Sequence, residues 1–90
     1  MKQQRDPIRV FIVDDHQLVI DGISSLLAFE EGFEIAGTSC LPQEVPDILA
    51  NKKVDVLLTD VQMPGMSGVE LVRVVRSRYP AIFVLALSMH

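Results

Sequence analysis

A chain of 90 residues with 49% hydrophobic side chains can hold one domain around one modest core, and it is too apolar for a disordered tail. A formal charge of -4 opposes any grip on a nucleic-acid backbone by this segment alone, and a single cysteine, Cys40, excludes an internal disulfide and suits a reducing cytoplasm. No apolar run is long enough to cross a bilayer, and no signal-peptide core follows Met1-Lys2-Gln3-Gln4-Arg5-Asp6, so a soluble cytoplasmic domain with no membrane contact is expected.

Ile8 to Val13 is a β-branched apolar run closed by Asp14-Asp15 and reads as a buried strand. Leu18 to Glu30 has helical periodicity. Asp21, Ser24, Ser25 and Ala28 share one face, and Val19, Ile20, Ile23, Leu26 and Leu27 share the inward one. Gly32 is a stop signal, and Phe33 to Ala36 is a weaker strand ending at Gly37. Proline is tolerated only in a first helical turn, so Pro42 and Pro46 leave a short helix starting near Val45. Val54 to Thr59 is a third strand stopped by Asp60. Ser67 and Glu70 have capping-box spacing and open a helix that runs to about Tyr79. In that helix Leu71, Val72, Val74 and Val75 face inward, and Glu70, Arg73 and Ser77 face outward. Pro80 ends it, and Ala81 to Leu87 is a fourth buried strand. The β-α-β-α-β-α-β alternation argues for an α/β fold with a parallel sheet covered on both faces.

In open α/β sheets, ligands bind beyond the carboxyl ends of the strands, where the winding direction reverses. Asp14 and Asp15 follow the first strand and Asp60 follows the third. If those strands are neighbours, as in a 2-1-3-4-5 order, their ends lie about 4.8 Å apart and three carboxylates share one cleft. An aspartate at a strand end is usually structural when it stands alone. Three converging ones repel each other unless a cation offsets them or one takes a proton, and an all-oxygen set with room for water suits Mg²⁺. Ser88, at the end of the fourth strand, adds a hydroxyl able to bond an anion at Asp60.

Val13-Asp14-Asp15-His16, Asp60-x-x-Met63-Pro64-Gly65-Met66-x-Gly68 and Leu87-Ser88-Met89-His90 together resemble the receiver domain of response regulators. The Asp-Asp-His opening and Ser-Met-His ending are most similar to the NarL/FixJ-type subfamily, whose members usually carry a C-terminal LuxR-type helix-turn-helix. The resemblance runs from about Ile8 to His90. It implies a flavodoxin-like parallel sheet of order 2-1-3-4(-5). It also implies two-component signalling in which Asp60 takes a phosphoryl group from a phosphohistidine on a sensor histidine kinase. Asp15 would bind Mg²⁺ directly, Asp14 largely through water, and the backbone carbonyl of Gln62 would complete the set. Ser88 would be the switch hydroxyl. Gly65 would serve a turn with positive φ. Homodimerisation is possible, and DNA would be reached only through an output domain outside this chain.

The resemblance also implies a lysine and an aromatic on a fifth strand, which this chain lacks. Lys52 and Lys53 precede the third strand and so lie at the far end of the sheet from Asp60. The fourth helix, fifth strand and fifth helix would need on the order of 30 further residues. Residues 1–90 are therefore read as a C-terminally incomplete receiver domain, a cut piece or the ordered part of a longer protein. As such it would fold poorly or pair with a second copy, since its fourth strand leaves an apolar edge and patch uncovered.

His16 reads as a solvated loop residue in preference to a metal ligand, Cys40 as a packed small residue, and Met63, Met66 and Met89 as gap-fillers. Arg73, Arg76 and Arg78 read as a solvated face. An acid-cluster phosphohydrolase is the rival function. One large phosphatase group places a general acid two residues after the nucleophile, and Gln62 at that position cannot serve. A phosphoacceptor with at most self-dephosphorylation, not an enzyme in the usual sense, is the expectation. A partner-binding pseudo-receiver is opposed by the intact Asp14, Asp15, Asp60 and Ser88 set.

Overall fold

The computed structural model describes residues 6–62 and 67–87. Strand β1 (Ile8–Val13) pairs in parallel with β2 (Phe33–Ser39) on one side and β3 (Val56–Asp60) on the other. β3 in turn pairs with β4 (Phe83–Leu87), giving the order β2-β1-β3-β4. Helices α1 (Gln17–Ala28), α2 (Val45–Leu49) and α3 (Gly68–Arg78) connect the strands, with a 3₁₀ turn at Pro42–Glu44 before α2. This is the flavodoxin-like α/β arrangement expected from the sequence.

The period-2 alternation of β1 assigns its side chains to two cores. Phe11 and Val13 point to one face, where Val45 and Leu49 of α2, Leu57 of β3, and Leu71 and Val75 of α3 pack. Val10 and Ile12 point to the other and meet Ile20 of α1, flanked by Ile23 and Leu27. Because both faces are covered, Val10 to Val13 are at most 2% exposed. Each such side chain contributes about 1.5–3 kcal/mol through burial. Tyr79 donates from its hydroxyl to the Pro46 carbonyl at 2.6 Å and ties α3 to α2.

Two local readings of the sequence are corrected. β2 does not stop at Gly37 but continues through Thr38 to Ser39. Gly37 is there because β1 presses on it. A Cβ at that position would lie 2.8 Å from Phe11 Cε2, beside a register irregularity between Val10 and Phe11. Leu26 does not face inward but is 71% exposed. Only the Ile20, Ile23 and Leu27 stripe reaches the sheet, and Leu26 is rotated about 100° from Leu27.

Other expectations fit. The prolines do restrict α2 to a short helix beginning at Val45. Gly32 takes φ +92 in the turn between α1 and β2, and its carbonyl accepts from the Ile8 N–H at 2.7 Å, tying that turn to the start of β1. Ser67 caps α3, its Oγ accepting from the Glu70 N–H at 3.1 Å. β4, by contrast, departs from the buried strand expected over Ala81 to Leu87: it begins at Phe83, and none of its residues is buried, Phe83 and Leu85 being 61% and 44% exposed.

Candidate functional site

The register of β1 against β3 pairs Val13 with Thr59, so the next residues, Asp14 and Asp60, come out of the sheet side by side. Asp14 is 2% exposed and Asp60 6%. Each carboxylate is held the same way, by the backbone two residues on. Asp14 Oδ1 accepts from the His16 N–H at 2.8 Å, and Asp60 Oδ1 accepts from the Gln62 N–H at 3.1 Å. Such Asx turns fix the rotamer without neutralising the charge. The end of β2 braces Asp14 from the other side. Its N–H donates to the Ser39 carbonyl at 3.2 Å, while Ser39 Oγ donates to Glu44 Oε1 at 2.8 Å and accepts from the Leu41 N–H at 3.0 Å.

Asp60 is also set by close backbone packing. A Cβ on Gly68 would fall 1.9 Å from the Asp60 carbonyl oxygen and 2.4 Å from Val61 Cα. Only glycine lets the start of α3 lie against the end of β3 this tightly. The Gly68 N–H donates back to the Val61 carbonyl at 3.3 Å.

One ligand atom from each of Asp14, Asp15, His16 and Asp60 lies within 4.8 Å of all the others. His16 Nδ1 is 3.1 Å from Asp14 Oδ1 and 2.9 Å from Asp15 Oδ1. The hydrogen bond with Asp14 and the adjoining charge of Asp15 raise the His16 pKa above its ordinary 6.5. Asp15 Oδ1 is shut off from solvent, and the imidazole nitrogen beside it is not aligned to hydrogen-bond it. Two buried carboxylates, a third with an orphaned oxygen and one imidazole form a donor set that a divalent cation fits. His16 is solvated as the sequence suggests, its side chain 67% exposed, and its Nδ1 also adjoins the cluster.

Asp14, Asp15 and Asp60 converge as expected, and the Gln62 backbone adjoins them through Asp60. Ser88 lies outside the described residues, as do Met63, Pro64, Gly65, Met66, Met89 and His90. Lys52 and Lys53 line a groove with Arg9 and Glu34 at the amino ends of the strands, away from Asp60. Cys40 is half-buried, its thiol donating to Gln17 Oε1 at 3.3 Å. Sequence reasoning missed Ser39 as a brace, although a serine ending a strand beside the acidic one is the available signal.

A doubly covered parallel sheet carries, at the carboxyl ends of its β1 and β3 strands, an acidic cluster with the donor atoms to hold a metal ion. The chain belongs to the response regulator receiver domain family, whose sequence model matches residues 10–90. It is 37% identical over 83 residues to the transcriptional regulatory protein DegU of Brevibacillus brevis, covering 92% of this chain and 35% of DegU. It is 37% identical over 81 residues to the response regulator GacA of Pseudomonas aeruginosa, covering 90% of this chain and 38% of GacA. The Salmonella typhimurium response regulator RcsB superposes with a TM-score of 0.88 at 27% identity, over 96% of this chain and 44% of that one. The chain therefore spans less than half the length of these relatives. It is a receiver domain of the two-component response regulators, of NarL/FixJ type, and regulators of transcription are among its relatives. RcsB has been captured as dimers bound to DNA. Receiver segments also occur in enzymes: a protein-glutamate methylesterase/protein-glutamine glutaminase of Syntrophotalea carbinolica is 37% identical over 82 residues, 23% of its length. Among the described residues, no helix is long and apolar enough to cross a membrane.

Proposed function

We propose that this is a cytoplasmic domain in which Asp60 is the phosphoacceptor, taking a phosphoryl group from a phosphohistidine of a sensor histidine kinase. Asp14, Asp15, Asp60 and the backbone carbonyl of Gln62 hold Mg²⁺, and Ser88 is the switch hydroxyl. The observation that carries this reading is the buried Asp60 carboxylate, set at the end of β3 beside Asp14 at the switch point of the sheet. In the transfer, an Asp60 carboxylate oxygen forms the new O–P bond as the P–N bond to the imidazole breaks, and the electron pair leaves with the ring nitrogen. The Gln62 N–H holds Asp60 in one orientation for in-line approach, which lowers the entropic part of the barrier. Bound Mg²⁺ supplies the positive charge that offsets the carboxylates and the phosphoryl oxygens.

The phosphorylated domain controls an output elsewhere in the protein, and the transcriptional regulators among its relatives favour DNA binding as that output. Self-dephosphorylation is the only turnover this reading includes. Gln62 stands where a phosphohydrolase of the rival class would carry its acid, and its amide cannot protonate a leaving group.

The test is to incubate the intact protein and its Asp60→Asn variant with acetyl phosphate or a phosphorylated kinase, and to map hydroxylamine-labile phosphate by mass spectrometry. Asparagine keeps the oxygen that accepts from Gln62, so the fold is retained. The native protein should gain one phosphoryl group at Asp60 and the variant none. Equal labelling of the two would show that Asp60 is not the acceptor.

A further inference from the structure

Imidazole and carboxylate do not prefer the same cations. Carboxylate and water suit Mg²⁺, whereas imidazole suits Ni²⁺, Zn²⁺ and Cu²⁺. Around one metal, ligand atoms at about 2.1 Å can be no more than about 4.2 Å apart. The Asp14, Asp15, His16 and Asp60 atoms, all within 4.8 Å of one another, need to close by only a few tenths of an ångström to meet that limit. His16 Nδ1 already faces the two acids that follow β1, and Asp15 Oδ1 beside it is buried without a hydrogen-bond partner. A metal ion between these atoms gives that oxygen a partner, which the imidazole alone does not.

We propose that His16 is a metal-selecting residue of the acidic site, a nitrogen ligand that lets it take imidazole-preferring divalent ions such as Ni²⁺ and Zn²⁺ in competition with Mg²⁺. This rests on the cation-site reading above. The position tolerates the role structurally. His16 precedes α1 as its N-cap without a side-chain capping bond, so the ring is not needed to start the helix. It is attached directly to the loop that carries Asp14 and Asp15, so its Nδ1 moves with them.

The experiment titrates the intact protein and its His16→Ala variant with Mg²⁺, Ni²⁺ and Zn²⁺. The amides of Asp14, Asp15 and Asp60 and, with diamagnetic Zn²⁺, the His16 ring nitrogens are followed by NMR. In His16→Ala, Ni²⁺ and Zn²⁺ affinity should fall by about tenfold or more while Mg²⁺ affinity changes little. The His16 Nδ1 resonance of the native protein should shift as Zn²⁺ is added. A Mg²⁺ response at the three amides with an unmoved Nδ1, or an equal loss for all three metals, overturns the His16 assignment alone. Tighter binding of every metal by the variant also overturns it, since the ring would then be an obstructing counter-charge. No response to any of the metals at those amides removes the cation site itself, and this assignment with it.

Discussion

β3 has an aspartate at each end, and the two are treated in opposite ways. Asp55, just before the strand, is satisfied: its Oδ2 accepts from the Arg9 N–H at 2.9 Å. Its own N–H donates to the Arg9 carbonyl and its carbonyl accepts from the Phe83 N–H, both at 2.9 Å. That one residue ties β1, β3 and β4 at their amino ends. Asp60, the last residue of the strand, is buried among acids and has one oxygen pinned by a backbone amide. The amino end uses its carboxylate to hold strands together. The carboxyl end gathers three carboxylates with a single imidazole beside two of them, a concentration of like charge that a cation can offset.

Close packing at the acidic end should give the largest effect. Gly68→Ala should destabilise the protein by about 3 kcal/mol or more, because the atoms a Cβ would strike are the backbone of Asp60 and Val61. Gly22, inside α1, is the opposite case: a Cβ added there would have no neighbour within 4 Å, and Gly22→Ala should stabilise by about 0.5–1 kcal/mol. Urea unfolding of both variants checks the pair, and a neutral Gly68→Ala would mean that β3 and α3 can separate without cost.

The two aspartates should then differ in sign. Asp55→Ala strands the Arg9 N–H and should cost about 1–3 kcal/mol while leaving phosphoryl labelling intact. Asp60→Asn relieves repulsion and should gain on the order of 1 kcal/mol in metal-free buffer while abolishing labelling. A loss of stability in both would break the contrast between the ends.

The smallest effect belongs to His16, whose ring is largely in solvent. Its folded pKa lies above 6.5, raised first by the hydrogen bond with Asp14 and then by the charge of Asp15. The pairing therefore stabilises the metal-free fold fully below about pH 6.5 and is lost as pH rises through the raised value. An NMR titration should place His16 above a free histidine, and Asp14→Asn should bring it back down. An unshifted His16 would separate the ring from the acids.

Much of the acidic end was legible in the sequence because its logic is local. An apolar run closed by Asp14-Asp15, and another closed by Asp60, meet once β1 and β3 are neighbours, an order that the resemblance to receiver domains implied and the sheet has. The Ser67 cap was visible for the same reason. Asp55 was not, because its partner Arg9 lies 46 residues away and nothing in either neighbourhood signals the pairing. Gly37 was misread as a terminator because a close approach by Phe11 and a strand end ask for the same residue. Leu26 was misread because an apolar side chain on a helix does not by itself say how wide a stripe the sheet covers.

The two ends of β3 differ in kind, and a Mg²⁺ titration of the intact protein followed by amide NMR tests this most directly. Saturable shifts should concentrate at Asp14, Asp15 and Asp60, leave Asp55 and Arg9 unmoved, and weaken markedly in Asp15→Ala. Shifts of equal size at both ends, or an Mg²⁺ affinity unchanged in Asp15→Ala, would contradict it.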